Sequence, residues 1–574
     1  MKRVRITIIG AGISGILIAF KLQKHLDQYV DICIVEKNPN LGGTWYENRY
    51  PGCACDVPSH VYQYSFAPNP EWSQFYATSQ EIQRYLKGVA KNFGLERFIK
   101  YNSKVIGAQW QEERAVWRVE IEDGRIIESE ILINAGGILN NPQTPDIKGL
   151  ASFAGPMLHT ATWDNSVDLH DRRVAVIGAG ASAIQLLPQI QSKCSHIDIY
   201  IRTPSWISPP VGMPNPDTKN YAYSEEDKDL YRKSGISYLR TRKELENHFN
   251  GLFKAFAKST PEQRDLRNRI TKKLIPSFEA GCRRINPGEE YLITLQKSNV
   301  TPIFEKIEEI TTDGIVTSDS RKHPMDILIM ATGFNTTFRP RFPILGRRGI
   351  NLQELWETTP VSYMGTGVSG FPNYFMFLGP NTPISNGSLM GPLEATGDYF
   401  VRLLRKVIRQ NVKTFDVRPD VQADFDQHTQ QYMQNMVWTG SCRSWFKNHK
   451  TGRINALWPG SSLHYMQILA ENRWEDYSWG YHHNRFAHWE GGRSWVEDPL
   501  ADPLGREERI SNYATTVPGK DSDLSFYLWE SEPLPAASLV DDGYSTSVLD
   551  EVKEGQRLNE WLQTSVSASI TVPV

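Results

Sequence analysis

Apolar and polar positions along the chain follow two periods, and the same order of periods occurs twice. Residues 5–9 are a short β-branched run. Residues 16–20 are wholly apolar, and Leu22 and Leu26 follow among polar residues, which predicts a helix enclosed at its start and one-sided later. Residues 31–35 read as a second apolar strand, stopped by Asn38-Pro39-Asn40. The order strand, turn, helix, strand returns at Arg173, with strands at 174–177 and 197–201 around a helix at 181–191. The copies lie 168 residues apart, counted from Gly10 to Gly178, so they predict two similar α/β domains rather than a tandem array.

Between these units and the C-terminus the pattern is more varied. Residues 224–275 are charged, helix-favouring and poor in glycine and proline, and are expected to form a helical insertion. Residues 326–333 and 371–380 read as further buried strands, and 388–407 as a helix. After Trp474 the sequence is rich in Trp, Gly, Pro and acidic residues, its periodicity is poor, and the last dozen residues read as a frayed tail.

A chain of 574 residues is too long for one core. The 63 Lys plus Arg against 65 Asp plus Glu leave a formal charge of -2, which provides no general attraction for nucleic acid or an anionic membrane. No apolar stretch is long enough to span a bilayer, and a signal-peptide cleavage near the N-terminus would destroy the motif at Gly10. The six cysteines are scattered apart from Cys53 and Cys55. They show no zinc spacing and no redox CxxC, and are read as reduced thiols of a cytoplasmic protein. A monomer or weak oligomer is expected.

The turns between strand and helix carry the chemistry. Gly10-Ala11-Gly12-Ile13-Ser14-Gly15 follows the first strand, and Glu36 stands 21 residues after Gly15 at the end of the second. The three glycines suit a tight turn, a close pyrophosphate and close helix packing, and the acid suits ribose hydroxyls. The second copy is Gly178-Ala179-Gly180-Ala181-Ser182-Ala183, and here Arg202, followed by Thr203, replaces the acid. An arginine there pairs with a 2′-phosphate, so the second nucleotide is expected to be NADPH. An ordinary exposed arginine at a strand end is the competing reading. Two dinucleotides on one chain point to a relay in which NADPH reduces a flavin, FAD, held by the first site.

The resulting division is α/β, with two Rossmann-like domains. Residues 1–145 and 341–480 form an FAD domain, the latter with a substrate loop. Residues 146–215 and 281–340 form an NADP domain, 216–280 the helical insertion and 481–574 a C-terminal extension.

Residues 153–163 read F-A-G-P-M-L-H-T-A-T-W, that is FxGxxxHxxxW with Phe153, Gly155, His159 and Trp163 at the fixed positions. This resembles the fingerprint of the type I Baeyer–Villiger monooxygenases, class B flavoproteins, and the long C-terminal extension resembles fungal secondary-metabolism members. Related N-hydroxylating and flavin-containing monooxygenases usually have Phe or Tyr where Trp163 stands. Gly42-Gly43-Thr44-Trp45, Arg49-Tyr50-Pro51-Gly52 with Cys55-Asp56, and Ala331-Thr332-Gly333 also match the family. The resemblance runs from Val4 to about Trp474.

The resemblance implies that O2 is added to reduced flavin to give a C4a-peroxyflavin, which inserts oxygen next to the carbonyl of an apolar ketone and yields an ester or lactone. By the same carry-over, Arg284 is the catalytic arginine and Asp56 the acid that orients it, with Asp56 also at the cofactor. Thr44, Trp45 and Tyr62 contact flavin, and Ser182 and Ala183 belong to the NADP motif. Arg283 helps hold the NADP phosphate, and His159 orients the linker. Trp445 closes over nicotinamide and substrate on a mobile loop, and the turn at Asn386-Gly387 opens a helix facing the flavin. No metal is implied. The loop after Trp445 reads F-K-N-H-K-T-G and departs from the family's G-A-N…G-K. A flavin enzyme oxidising nitrogen or sulfur is the alternative.

Overall fold

The structure is a computed structural model that describes residues 3–208, 220–261, 276–384, 387–489, 491–494, 497 and 504. The chain divides into a compact unit ending at Arg485 and a second beginning at Phe486. Of the second unit the short turn Ala487–Trp489 is described. Most of the expected C-terminal extension lies outside the described residues.

Two five-stranded parallel sheets organise the first unit. In one the strand order is Tyr374–Met376, Ile131–Asn134, Val4–Ile9, Val30–Val35, Ile99–Lys100. In the other it is Met157–His159, Ile327–Met330, Arg173–Ile177, His196–Tyr200, Val300–Ile303. The repeat expected from the pattern is therefore a repeat of sheet order, with the glycine-bearing strand central in each. Each sheet also has an antiparallel addition between corresponding strands. One is built on Val105–Gln111, Val116–Ile121 and Ile126–Ser129, the other on Ile307–Thr311, Gly314–Thr317 and Lys322–Pro324.

Central strands buried on both faces need continuous apolar runs, and Ile6, Ile8, Ile34, Val174, Val176, Ile197 and Ile199 are all buried. The first helix spans Ile13–Leu26, and Ile16 to Ala19 in it are fully buried. The helix after the second glycine turn spans Ala181–Ile190. The helix expected at 388–407 is Met390–Arg409, and it packs on the first helix, where Lys21 Nζ meets Asp398 at 2.6 Å.

The helical insertion holds two helices, Glu225–Lys233 and Gly235–Gly251, up to residue 261. Ser224 opens the first with a capping box to Asp227. Residues 216–219 and 262–275 of the expected insertion lie outside the described residues. One strand was hidden by poor periodicity: Tyr477–Tyr481 pairs antiparallel with Val412–Val417. Aromatic contacts hold it, the Tyr477 hydroxyl lying 2.8 Å from that of Tyr399.

Candidate functional site

Gly10 and Gly178 each end a central strand with φ of +98° and +124°, a region costly for other residues. A Cβ on Gly15 would lie 2.0 Å from the Gly10 carbonyl oxygen, so only glycine lets the helix start this close to the turn. Gly12 and Gly180 are the N-caps of their helices, and neither helix has a side-chain cap. Their first N–H groups are thus free to receive an anion. A Cβ on Gly180 would meet nothing within 4 Å, which leaves an open cradle there. Ser182 is half-buried in the first turn of that helix, and Ala183 is fully buried in the core beneath it.

Glu36 is buried at the end of its strand. It accepts the N–H of Ala11 at 2.7 Å and of Asn38 at 2.9 Å. Burial pushes its carboxyl above the ordinary glutamate range against those donors. A buried acid lashed to the glycine turn fits ribose hydroxyls at a first dinucleotide site. At the second site Arg202 is exposed at the strand end, followed by half-buried Thr203. Partial desolvation by the surrounding protein, then repulsion from Arg443, holds the Arg202 guanidinium below its ordinary value although the residue is exposed. Arg283 is lowered by burial and then by Arg202, and its Nη1 lies 3.5 Å from the Pro204 carbonyl. Cations gathered without a carboxylate among the described residues fit a phosphate.

Between these sites, Arg284 and Asp56 form a bidentate pair, Nε to Oδ2 and Nη2 to Oδ1 both at 2.7 Å. Burial alone would raise Asp56, but the Arg284 charge and hydrogen bonds outweigh it and hold the carboxyl below its usual range. The Asp56 charge raises Arg284 further. Arg284 still exposes 38% of its side chain although protein surrounds it, as a residue on a cleft wall does. Beside the pair, Tyr62 and Trp45 meet edge to face with centroids 5.5 Å apart, and Thr44 is exposed at the start of the same short helix. Burial pushes the Tyr62 phenol well up.

His159 ties the linker to the returning strand. Its Nδ1 accepts the Ala161 N–H at 3.0 Å, and its Nε2 lies 3.3 Å from Thr332 Oγ1. Burial lowers its pKa. Phe153 is buried in the core beside that strand. Trp445 is half-buried against an apolar cluster that includes Phe446 and Trp438. Asn386 lies outside the described residues. Gly387 has φ +74°, and Ser388 Oγ donates to the Val61 carbonyl at 2.7 Å, which sets the following helix start next to Tyr62.

The sequence reading missed two links. Gln185, in the second glycine helix, accepts the Tyr50 hydroxyl at 2.7 Å and donates to the Ala54 carbonyl at 2.9 Å. It thereby joins the two dinucleotide units through the segment that leads to Asp56. Its only sequence signal was a position within an otherwise ordinary amphipathic helix. The second is a correction to the reading of all cysteines as reduced thiols: Cys282 and Cys442 form a disulfide, with Cα atoms 6.2 Å apart. Their separation of 160 residues hid the pairing, because only the fold brings the two segments together. Among the described residues Cys33, Cys53, Cys55 and Cys194 are free, and no group of three or more His, Cys, Asp or Glu gathers as metal ligands. No described helix is long and apolar enough to cross a membrane.

A family profile described as an NAD(P)-binding Rossmann-like domain matches residues 8–79, and one for L-lysine 6-monooxygenase/L-ornithine 5-monooxygenase matches 62–212. The chain is 38% identical over 538 residues to an FAD-binding monooxygenase, moxY, of Dothistroma septosporum, covering 89% of this chain and 85% of that one. It is 34% identical to a Baeyer–Villiger monooxygenase of Pseudomonas aeruginosa, covering 82% and 90%. Among solved structures, a cyclohexanone monooxygenase variant of Rhodococcus sp. Phi1 bound to NADP+ superposes with a TM-score of 0.71 at 25% identity, covering 84% of this chain and 100% of that one.

Proposed function

The chain belongs to the FAD-binding monooxygenases of the Baeyer–Villiger type, and from that premise we propose how its own residues carry out NADPH- and O2-dependent insertion of oxygen beside a ketone carbonyl. The division of labour follows the two sheets. Residues 1–145 and 341–480 hold FAD, 146–215 and 281–340 hold NADPH, and 216–280 form the helical insertion. Bound FAD and NADPH supply the redox chemistry and the activation of O2.

The observation that carries the reading is the Arg284–Asp56 pair, set beside Trp45 and Tyr62 on the wall between the two nucleotide sites. Transfer of oxygen to a ketone carbon leaves negative charge on oxygen, which a fixed cation stabilises. Arg284 cannot release its proton near neutral pH, so it acts as a charge and a hydrogen-bond donor and not as an acid. Asp56 accepts from Nε and Nη2 and so fixes the direction of the guanidinium. Gly12 and Gly180 would receive the two pyrophosphates at helix N-termini, with Glu36 on the adenosine ribose of FAD and Arg202, Thr203 and Arg283 on the 2′-phosphate of NADPH. Trp445 would cover the nicotinamide.

The ester- or lactone-forming reading is preferred to nitrogen or sulfur oxidation. The lysine/ornithine monooxygenase match ends at residue 212, before the Arg283-Arg284 pair by which the chain resembles the Baeyer–Villiger family. The substrate is an apolar ketone, and cytoplasmic NADPH is the reductant. Incubation of the flavin-loaded protein with NADPH, air and a panel of cyclic and open-chain ketones should give products one oxygen heavier that hydrolyse as esters. N-oxides or sulfoxides from amine and sulfide controls, with ketones untouched, would reverse the choice.

A further inference from the structure

Three segments far apart in sequence converge on one small buried apolar cluster. Trp206, Phe278, Ala280, Cys282 and Cys442 compose it. Trp206 Nε1 donates to the Phe278 carbonyl at 3.1 Å, and strand Ile207–Ser208 pairs with Asn286–Pro287. The disulfide joins Cys282 to Cys442 within the same cluster. Each segment carries an arginine at its edge: Arg202 four residues before Trp206, Arg283 next to Cys282 and followed by Arg284, and Arg443 next to Cys442.

The disulfide holds the backbone of Arg443 next to that of Arg283, with the Cα atoms of Cys282 and Cys442 6.2 Å apart. Arg283 Nη1 reaches the Pro204 carbonyl, two residues from Arg202. Repulsion from Arg443 adds to burial in lowering Arg202, and the three lack a carboxylate partner among the described residues. Lys447 of the same loop does have an acid nearby, Glu279, and its Nζ donates to the Gly440 carbonyl. Like charges clustered without a counterion are unfavourable unless an anion completes the set, and a phosphomonoester dianion accepts several guanidinium donors at once.

We propose that Arg443, pinned beside Arg283 by the Cys282–Cys442 bridge, is the third arginine of a phosphomonoester site shared with Arg202 and Arg283, so that the Trp445 loop closes on NADPH and not on NADH. This rests on reading Arg202 and Arg283 as the residues that hold the NADPH 2′-phosphate. It makes the loop a specificity element, because the charge that selects the cofactor stands two residues from the tryptophan that covers the nicotinamide.

The test is equilibrium binding to the FAD-loaded protein by calorimetry, which needs no turnover. NADP+, NAD+, 2′-AMP and inorganic phosphate are titrated into wild type, Arg443→Ala, Arg443→Lys and Lys450→Ala, the last an exposed cation of the same loop. Arg443→Ala should weaken NADP+ and 2′-AMP by about tenfold and leave NAD+ unchanged. Arg443→Lys should recover part of the loss, and Lys450→Ala should match wild type. Equal weakening of NADP+ and NAD+, no weakening of either, or an equal effect of Lys450→Ala overturns the inference. Competition by inorganic phosphate as strong as that by 2′-AMP would mark a free-phosphate site and overturn the nucleotide assignment. Wild-type protein that binds NAD+ as tightly as NADP+ overturns the NADPH reading itself, and this inference with it.

Discussion

Cys282 and Cys442 are covalently joined across 160 residues, and the bond sets the Arg283-Arg284 pair beside the loop that carries Arg443 and Trp445. A cross-link between the Arg283-Arg284 segment and the loop that carries Trp445 limits how far the two can separate. It also removes conformational freedom from the unfolded chain, by up to about 5 kcal/mol for a closed loop of this length in the chain-entropy description.

Alkylation under denaturing conditions, read by intact mass, should label two more thiols after reduction than before it. The Cys442→Ser variant should unfold at a lower temperature and show a higher KM for NADPH, because the loop loses its tether. An unchanged count of accessible thiols would remove the bond from the account.

Replacement of Arg284 by Ala should separate the two half-reactions. Reduction of the bound flavin by NADPH under nitrogen should persist at near wild-type rate, whereas ester formation in air should fall below detection. Asp56→Asn should give the same pattern less severely, since the guanidinium remains but the amide offers one neutral acceptor oxygen, with an NH2 donor in place of the other. Product formation at wild-type yield by Arg284→Ala would refute the role.

Arg202→Ala should raise the KM for NADPH by about tenfold to a hundredfold and that for NADH little, because NADH lacks the phosphate that pairs with the guanidinium. Steady-state NADPH and NADH titrations give the comparison. A parallel rise for both coenzymes would return Arg202 to an ordinary strand-end residue.

Acid sensitivity should depend on His60. The ring is fully buried, with Nδ1 2.9 Å from the Tyr238 hydroxyl and Tyr223 and Tyr231 around it. Burial, then the Arg242 charge, lowers its pKa to about 3, with Asp227 opposing. A histidine with a depressed folded pKa is neutral in the fold and binds a proton more readily when unfolded. Stability from this group is therefore complete above about pH 6.5 and is lost as pH falls towards 3, on the order of a few kcal/mol. His60→Asn keeps a donor for Tyr238 and cannot titrate in this range. Denaturation midpoints measured across pH 4–7 should fall less steeply for the variant than for wild type, and identical slopes would count against His60 as the source.

Much of this protein was readable in its sequence because the relevant physics is local. The Gly10 and Gly178 turns, their helices and Glu36 are set by backbone freedom and apolar runs within some thirty residues, and the two sheets follow from them. The Arg284–Asp56 pair was expected from resemblance alone; no property of positions 56 and 284 taken singly places them 2.7 Å apart. Tertiary structure decided what joins distant segments: the Gln185 contacts with Tyr50 and Ala54, the Cys282–Cys442 bond, and the Tyr477–Tyr481 strand. Those contacts depend on which faces of separate elements pack together, and a side chain's period along its own element carries no record of its partner on another.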